Sequence, residues 1–309
     1  MKYAVLALAA ALALAGQTMK TQTIKTMSHL PDTGQTRHFA AGDDSEHPNR
    51  PLAYTVNGDG TVTDKVTGLL WQQADSGEMT WEHARDYCAA LSLGGKSGWR
   101  LPSNQELFSI LNHNNGKPAI DTNAFTRTEA EYWWSADRRA DDASRIWSVN
   151  AGGGTGPHPK QETISAGGSK RYHARCVLAS AATPVREHYT ANGDGTVTDH
   201  RTGLIWQQAE TAAMTWEEAL QYAKRLSLAG HTDWRLPNIK ELESLNDEAL
   251  VRPSIPKTHF PGAQEDVYWT STTLMNHPTR AWTVDFTFGI ASYEEKTEKL
   301  LVRAVRGTP

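Results

Sequence analysis

Thr55-Val-Asn-Gly-Asp-Gly-Thr-Val-Thr-Asp64 returns along the chain as Thr190-Ala-Asn-Gly-Asp-Gly-Thr-Val-Thr-Asp199, an offset of 199 − 64 = 135 residues. The same offset carries Thr67-Gly-Leu-Leu-Trp-Gln-Gln73 onto Thr202-Gly-Leu-Ile-Trp-Gln-Gln208, and Met79-Thr80-Trp81-Glu82 onto Met214-Thr215-Trp216-Glu217. It also carries Trp99-Arg-Leu-Pro102 onto Trp234-Arg-Leu-Pro237, and Trp147-Ser-Val149 onto Trp282-Thr-Val284. Solenoid repeats recur every ~20–50 residues, so a period this long makes each copy a whole domain. The boundaries this suggests are a lead segment, residues 1–15, a polar linker or lead-in, 16–53, copy one, 54–180, and copy two, 181–309.

Each copy has the same local grammar. Asn57-Gly58-Asp59-Gly60 between short β-prone runs is hairpin chemistry. Thr80 is placed to cap a helix whose Trp81, Ala84, Cys88 and Leu91 share one face. Thr215 and Glu218 form the full capping box in copy two. A second helix is expected after Ser103, with Glu106 as box partner, and after Asn238 with Glu241. Aromatic strands follow at Tyr132–Ser135 and Arg145–Val149, closing with Arg175–Leu178. Two helices and an antiparallel sheet with long loops make an α+β unit, present twice in tandem.

The opening residues, MKYAVLALAAALALAG, place Lys2 before an apolar run from Ala4 to Leu14, with small residues at Ala13 and Ala15. That is the pattern of a secretory signal cut near Ala15, and the run is shorter than the ~20 residues of a membrane span. The expectation is a protein exported to the periplasm or surface of a bacterium, with no membrane insertion after cleavage. Residues 16–53 are polar without clear periodicity; Leu30-Pro31-Asp32-Thr33-Gly34 resembles a sorting signal by coincidence or is the first turn of the domain. Lys and Arg number 31 against 35 Asp and Glu, a net charge of −4, so no basic field is available for nucleic acid.

Cys88 and Cys176 are the two cysteines, and copy two has Ala223 and Ala304 in their places. Joint loss suits a bridge, because a lone thiol in an oxidising compartment is a liability. A Cys88–Cys176 disulfide is therefore expected; loop entropy gives it an upper value of roughly 4–5 kcal/mol.

Asn-Gly-Asp-Gly-Thr-Val-Thr-Asp, Thr-Gly-Leu-x-Trp-Gln, Trp-Arg-Leu-Pro, Tyr-Trp-x-Ser and a closing Ala-Arg or Val-Arg together resemble the domain typified by the C-terminal domain of the Legionella collagen-like adhesin. The resemblance covers Tyr54–Leu178 and Tyr189–Gly307. It implies a C-type-lectin-like fold for each copy and, in that adhesin, recognition of sulfated glycosaminoglycans. A helix-to-last-strand disulfide suits that fold class. The chain departs from the adhesin in having no Gly-x-y collagen repeat, and it lacks the sugar-binding triplets of calcium-dependent lectins.

Several motifs reduce to structure. Asn57-x-Asp59 has Thr55 and Val66 at the ends where a calcium loop needs acids, so no metal is expected there. Gly95-Lys96-Ser97 lacks the upstream glycine of a phosphate loop. No Gly-x-Ser-x-Gly or His-Glu-x-x-His is present. No cofactor is expected. Of eleven tryptophans, ten pair as Trp71/Trp206, Trp81/Trp216, Trp99/Trp234, Trp133/Trp269 and Trp147/Trp282, leaving Trp134 opposite Thr270. That reading puts Trp134 on the surface, where an indole stacks on sugars. Arg138 and Arg139 have no basic counterpart in copy two. Lys170 and Arg171 lie in a Gly-rich loop from Ala151 to Ala174, longer than its counterpart by 26 − 19 = 7 residues and read as solvated. Trp134, Arg138, Arg139, Lys170 and Arg171 are the candidate ligand contacts of a non-catalytic binding protein for a glycan or anionic polysaccharide. The alternatives are an envelope scaffold with a protein partner and an enzyme of the sulfatase-modifying type.

Overall fold

The computed structural model describes residues 29–126, 130–162, 172–179 and 188–307. The expected signal, 1–15, and residues 16–28 lie outside them, as do Lys170 and Arg171. Copy one runs β1 (Tyr54–Val56), β2 (Thr61–Asp64), β3 (Leu70–Gln72), α1 (Trp81–Ala90), α2 (Asn104–Ser109), β4 (Tyr132–Arg139), β5 (Asp142–Asn150), β6 (Thr155–Pro159), β7 (Tyr172–His173) and β8 (Val177–Leu178). Copy two runs β9 (Tyr189–Ala191), β10 (Thr196–Asp199), β11 (Ile205–Gln207), α3 (Trp216–Arg225), α4 (Ile239–Glu243), β12 (Val267–Thr273), β13 (Arg280–Asp285), β14 (Ile290–Glu295) and β15 (Val305–Arg306).

Local chemistry sets these elements. In the first hairpin Asp59 accepts the backbone N–H and hydroxyl of Thr61, at 3.0 and 2.6 Å. Gly58 and Gly60 take φ of +77° and +86°, where a side chain would be strained. Thr80 caps α1; Ser103, Thr215 and Asn238 form capping boxes with Glu106, Glu218 and Glu241. The Trp-Arg-Leu-Pro motif has a matching purpose. Arg100 grips the capping Glu106 at 2.7 and 2.8 Å, and Arg235 grips Glu241 at 2.6 and 2.7 Å. The arginine thereby neutralises a carboxylate that the helix start needs but burial disfavours.

The disulfide joins Cys88 on α1 to Cys176 beside β8, with Cα atoms 5.5 Å apart. Ala223 and Ala304 are fully buried at the corresponding places.

The copies merge. β12-β13-β14-β6-β5-β4-β7 form one seven-stranded sheet, in which β14 of copy two meets β6 of copy one. All of α2 and α4 is buried, and the two helices pack on each other. One apolar core runs through both copies, from Val62 and Trp71 to Trp206 and Val305. Separate outer cores surround the disulfide in copy one and Trp216 in copy two. Lys240 of α4 donates to the carbonyls of Asp32 and Ser109 at 2.7 and 2.8 Å. Its burial pulls the ammonium pKa down to about 7.

Three expectations are corrected. Of the two readings of residues 16–53, linker or lead-in, the first fails for the described part, 29–53. Gln35 accepts the Thr273 N–H at 2.7 Å, and buried Asp44 accepts the Thr33 and Thr272 hydroxyls at 2.7 Å each. Phe39 packs on the outer core of copy two. The segment is a strap over both copies, its polar residues satisfied by tertiary partners that composition does not reveal. Its Asp32 accepts the Gly34 N–H at 2.7 Å, so Leu30–Gly34 includes a genuine turn. Second, the Gly-rich stretch after Ala151 is not all solvated loop, because Thr155–Pro159 is β6 and stands in the shared sheet. Third, Trp134 is fully buried.

The last error has a definite cause. Trp134 Nε1 donates to the Met79 carbonyl and Trp269 Nε1 to the Met214 carbonyl, both at 2.9 Å. These are therefore the equivalent pair, at the common offset 269 − 134 = 135. Trp133 corresponds to Tyr268: it donates to Asp75 at 3.1 Å, while the Tyr268 hydroxyl donates to Glu210. Both acids face a buried arginine, Arg175 at 3.3 Å and Arg303 at 3.5 Å.

Candidate functional site

A cleft of about 420 Å³ opens where the two copies meet. β6 and β14 pair only through Thr155 and Ala291, then diverge. The wedge between them is lined by Lys117, Asn150, Gly156 and His158 from copy one, and by Asn276, His277 and Tyr293 from copy two. A wider concavity of about 680 Å³ lies along α3, at Glu217, Gln221, Tyr222 and Arg225. It belongs to one helix and its cap and gathers no group from a second element, so we take the seam cleft as the candidate site.

Glycines make the cleft possible. Gly153 takes φ +112°, and a Cβ there would come within 2.8 Å of the Trp282 ring. A Cβ at Gly154 would come within 2.7 Å of the Ala291 carbonyl. A Cβ at Gly156 meets nothing within 4 Å, because it points into open space. Beneath, His113 holds the Gly153 carbonyl at 2.9 Å and its ring lies 5.2 Å from Trp282. Burial pushes the His113 pKa down to about 3, so the imidazole is neutral and its Nε2–H donates to that carbonyl.

Aromatic groups frame the walls. Tyr293 is 40% exposed, with the Arg280 guanidinium 5.5 Å from its ring centroid. Tyr132 stacks on Tyr172 at 5.0 Å, and the Tyr172 hydroxyl is 2.8 Å from His158 Nδ1. No Asp or Glu is among the lining residues; Lys117, His158 and His277 are. Lys117 is 58% exposed and pairs with Glu131 at 3.0 Å. A wedge lined by no Asp or Glu, with a partly bare ring, amides, imidazoles and one lysine, can stack a sugar, bond its hydroxyls and hold an anionic substituent.

The residues proposed from sequence do not converge. Trp134 stacks on Tyr172 at 4.6 Å beside the disulfide, out of reach of solvent. Arg138 is exposed, its guanidinium 4.9 Å over Trp81. Arg139 bonds Asp141 at 2.6 and 2.9 Å and lies 4.3 Å from the Phe288 ring of copy two. The cleft residues were missed because each is commonplace in isolation; the Gly152-Gly153-Gly154 run was the available signal. Among the described residues no group of three or more His, Cys, Asp or Glu could hold a metal ion.

Fold and seam define the class: a duplicated α+β domain whose copies close on each other about a local two-fold axis. The family described as the Lcl C-terminal domain matches residues 60–178 and again 195–306, and the chain belongs to it. No curated protein matches the chain. Among the described residues no helix is long and apolar enough to cross a membrane.

Proposed function

We propose that this is an exported, non-catalytic binding protein of adhesin type, with two C-type-lectin-like domains that hold a saccharide in the seam cleft. The observation that carries this reading is the cleft itself, made by both copies, with no Asp or Glu in its lining and edged by Tyr293. The adhesin-like family supports it. The charge of the lining favours an anionic sugar, with Lys117 and His277 toward its acidic group and Tyr293 toward a ring face. Both cysteines are buried in one bridge, which supports a structural rather than a reactive role for them.

A glycan array at low and moderate salt tests this. Binding is expected to a sulfated or uronate-bearing glycan, weaker at the higher salt. Tyr293→Ala with Lys117→Ala is expected to cut it at least tenfold, while Arg138→Ala leaves it unchanged. Absence of any bound glycan, or binding that survives the double substitution, removes the proposal.

A further inference from the structure

We infer that the duplicated chain carries one ligand site built by both copies, not one site per copy; the inference rests on the saccharide reading above. The local two-fold axis creates a second corner corresponding to the cleft. At the common offset Lys117 corresponds to Arg252 (252 − 117 = 135), Leu274 to Arg139, Asn150 to Asp285, Asn276 to Asp141 and His277 to Asp142.

That corner is closed sterically. In copy one Val149 pairs with Thr155, so five residues, 150–154, separate them. In copy two Val284 pairs with Ala291, so six residues, 285–290, separate them, of which Asp285 and Ile290 pair with each other. The span longer by one residue carries Phe288 where copy one has only glycine at the crown. The half-buried ring sits between two guanidiniums, Arg139 at 4.3 Å and Arg252 at 5.0 Å.

It is also closed electrostatically. Three neutral or basic lining positions of the cleft are aspartates here. The two corners each hold a glutamate-paired cation, Lys117 with Glu131 at 3.0 Å and Arg252 with Glu265 at 3.8 Å, so the difference lies in the aspartates, one of which, Asp141, holds Arg139 at 2.6 Å. The Arg139 bond holds the Asp141 carboxyl below its ordinary range, and the Ser144 hydroxyl does the same for Asp142. Both acids are ionised at neutral pH and pair with Arg139 at 2.6 Å and Arg145 at 3.5 Å, so they compete with an anionic sugar for those guanidiniums. Duplication has thus yielded a monovalent receptor, so avidity requires several chains.

Isothermal titration of the full chain with a heparin-derived hexasaccharide gives the test. One equivalent per chain is expected. Gly156→Phe, which fills the cleft from a position with open space, is expected to weaken binding at least tenfold while far-UV circular dichroism and thermal unfolding stay unchanged. Two equivalents per chain overturn the inference and leave the saccharide reading standing; one equivalent indifferent to Gly156→Phe overturns both. No binding by the unsubstituted chain overturns both. Should Gly156→Phe perturb folding, Tyr293→Ala replaces it with the same expectation.

Discussion

Thr155 of copy one is bridge-paired with Ala291 of copy two, and each is the other's counterpart. Thr155 pairs with Val149 and Ala291 with Val284, the same place in the two hairpins. A residue that meets its own equivalent marks a local two-fold axis, the isologous contact familiar from symmetric dimers. Here the two partners are on one chain. The sheet order reads outward from that contact as β6-β5-β4 on one side and β14-β13-β12 on the other. The strap of residues 30–46 and the buried Lys240 then fasten what the sheet has joined.

The bridge encloses a loop of 88 residues, for which chain entropy gives about 4–5 kcal/mol. Cys88→Ala with Cys176→Ala copies the pair that copy two already buries as Ala223 and Ala304, so the backbone tolerates it. The double variant is expected to fold and to lose about 2–5 kcal/mol, read from urea midpoints at constant slope. A loss below about 0.5 kcal/mol would show that the seam, not the bridge, holds copy one.

Asp44 gives a pH signature. Burial pushes its carboxyl from 3.8 up to about 7, against the opposing bonds from Thr33 and Thr272. The folded state therefore keeps a proton that the unfolded chain has released, and stability from this group declines as pH rises from about 4 through about 7. Asp44→Asn is expected to flatten that decline and to be the more stable protein at pH near 8, by at most about 4 kcal/mol at ~1.4 kcal/mol per pKa unit. Urea midpoints across the range check it. Buried His113, its pKa down at about 3, gives the opposite slope over much of that window, so the difference between the two proteins is the test: one that does not grow in favour of Asp44→Asn as pH rises contradicts the prediction.

Trp134→Ala tests the corrected placement of that indole. Removing a fully buried ring that stacks on Tyr172 and bonds the Met79 carbonyl is expected to cost about 3–5 kcal/mol. Trp269→Ala, its true counterpart, is expected to cost a similar amount. A stable Trp134→Ala protein with selectively lost saccharide binding would return the residue to the surface.

Caps and hairpins were legible because their causes are local: Ser103 with Glu106 and Asp59 with Thr61 lie within a few residues of each other. The disulfide was legible because the second copy served as a control. What stayed hidden depends on distant partners. Adjacent Trp133 and Trp134 admit two alignments to Trp269, and only the Met79 and Met214 carbonyls choose between them. Asp32, Asp43 and Asp44 read as part of a polar linker or lead-in, yet all are buried. β6, Thr-Gly-Pro-His-Pro, has the composition of a loop and becomes a strand because β5 supplies the ladder and β14 one bridge. The cleft inherits that opacity, since it exists only where β6 and β14 part.

Differential scanning calorimetry of the chain from residue 16 onward, disulfide intact, addresses the merger of the two copies most directly. One shared core predicts a single endotherm whose calorimetric enthalpy equals its van't Hoff enthalpy. Two resolved transitions, each with the enthalpy of about half the chain, would mean that the copies fold independently and that the seam cleft is not a fixed feature of the molecule.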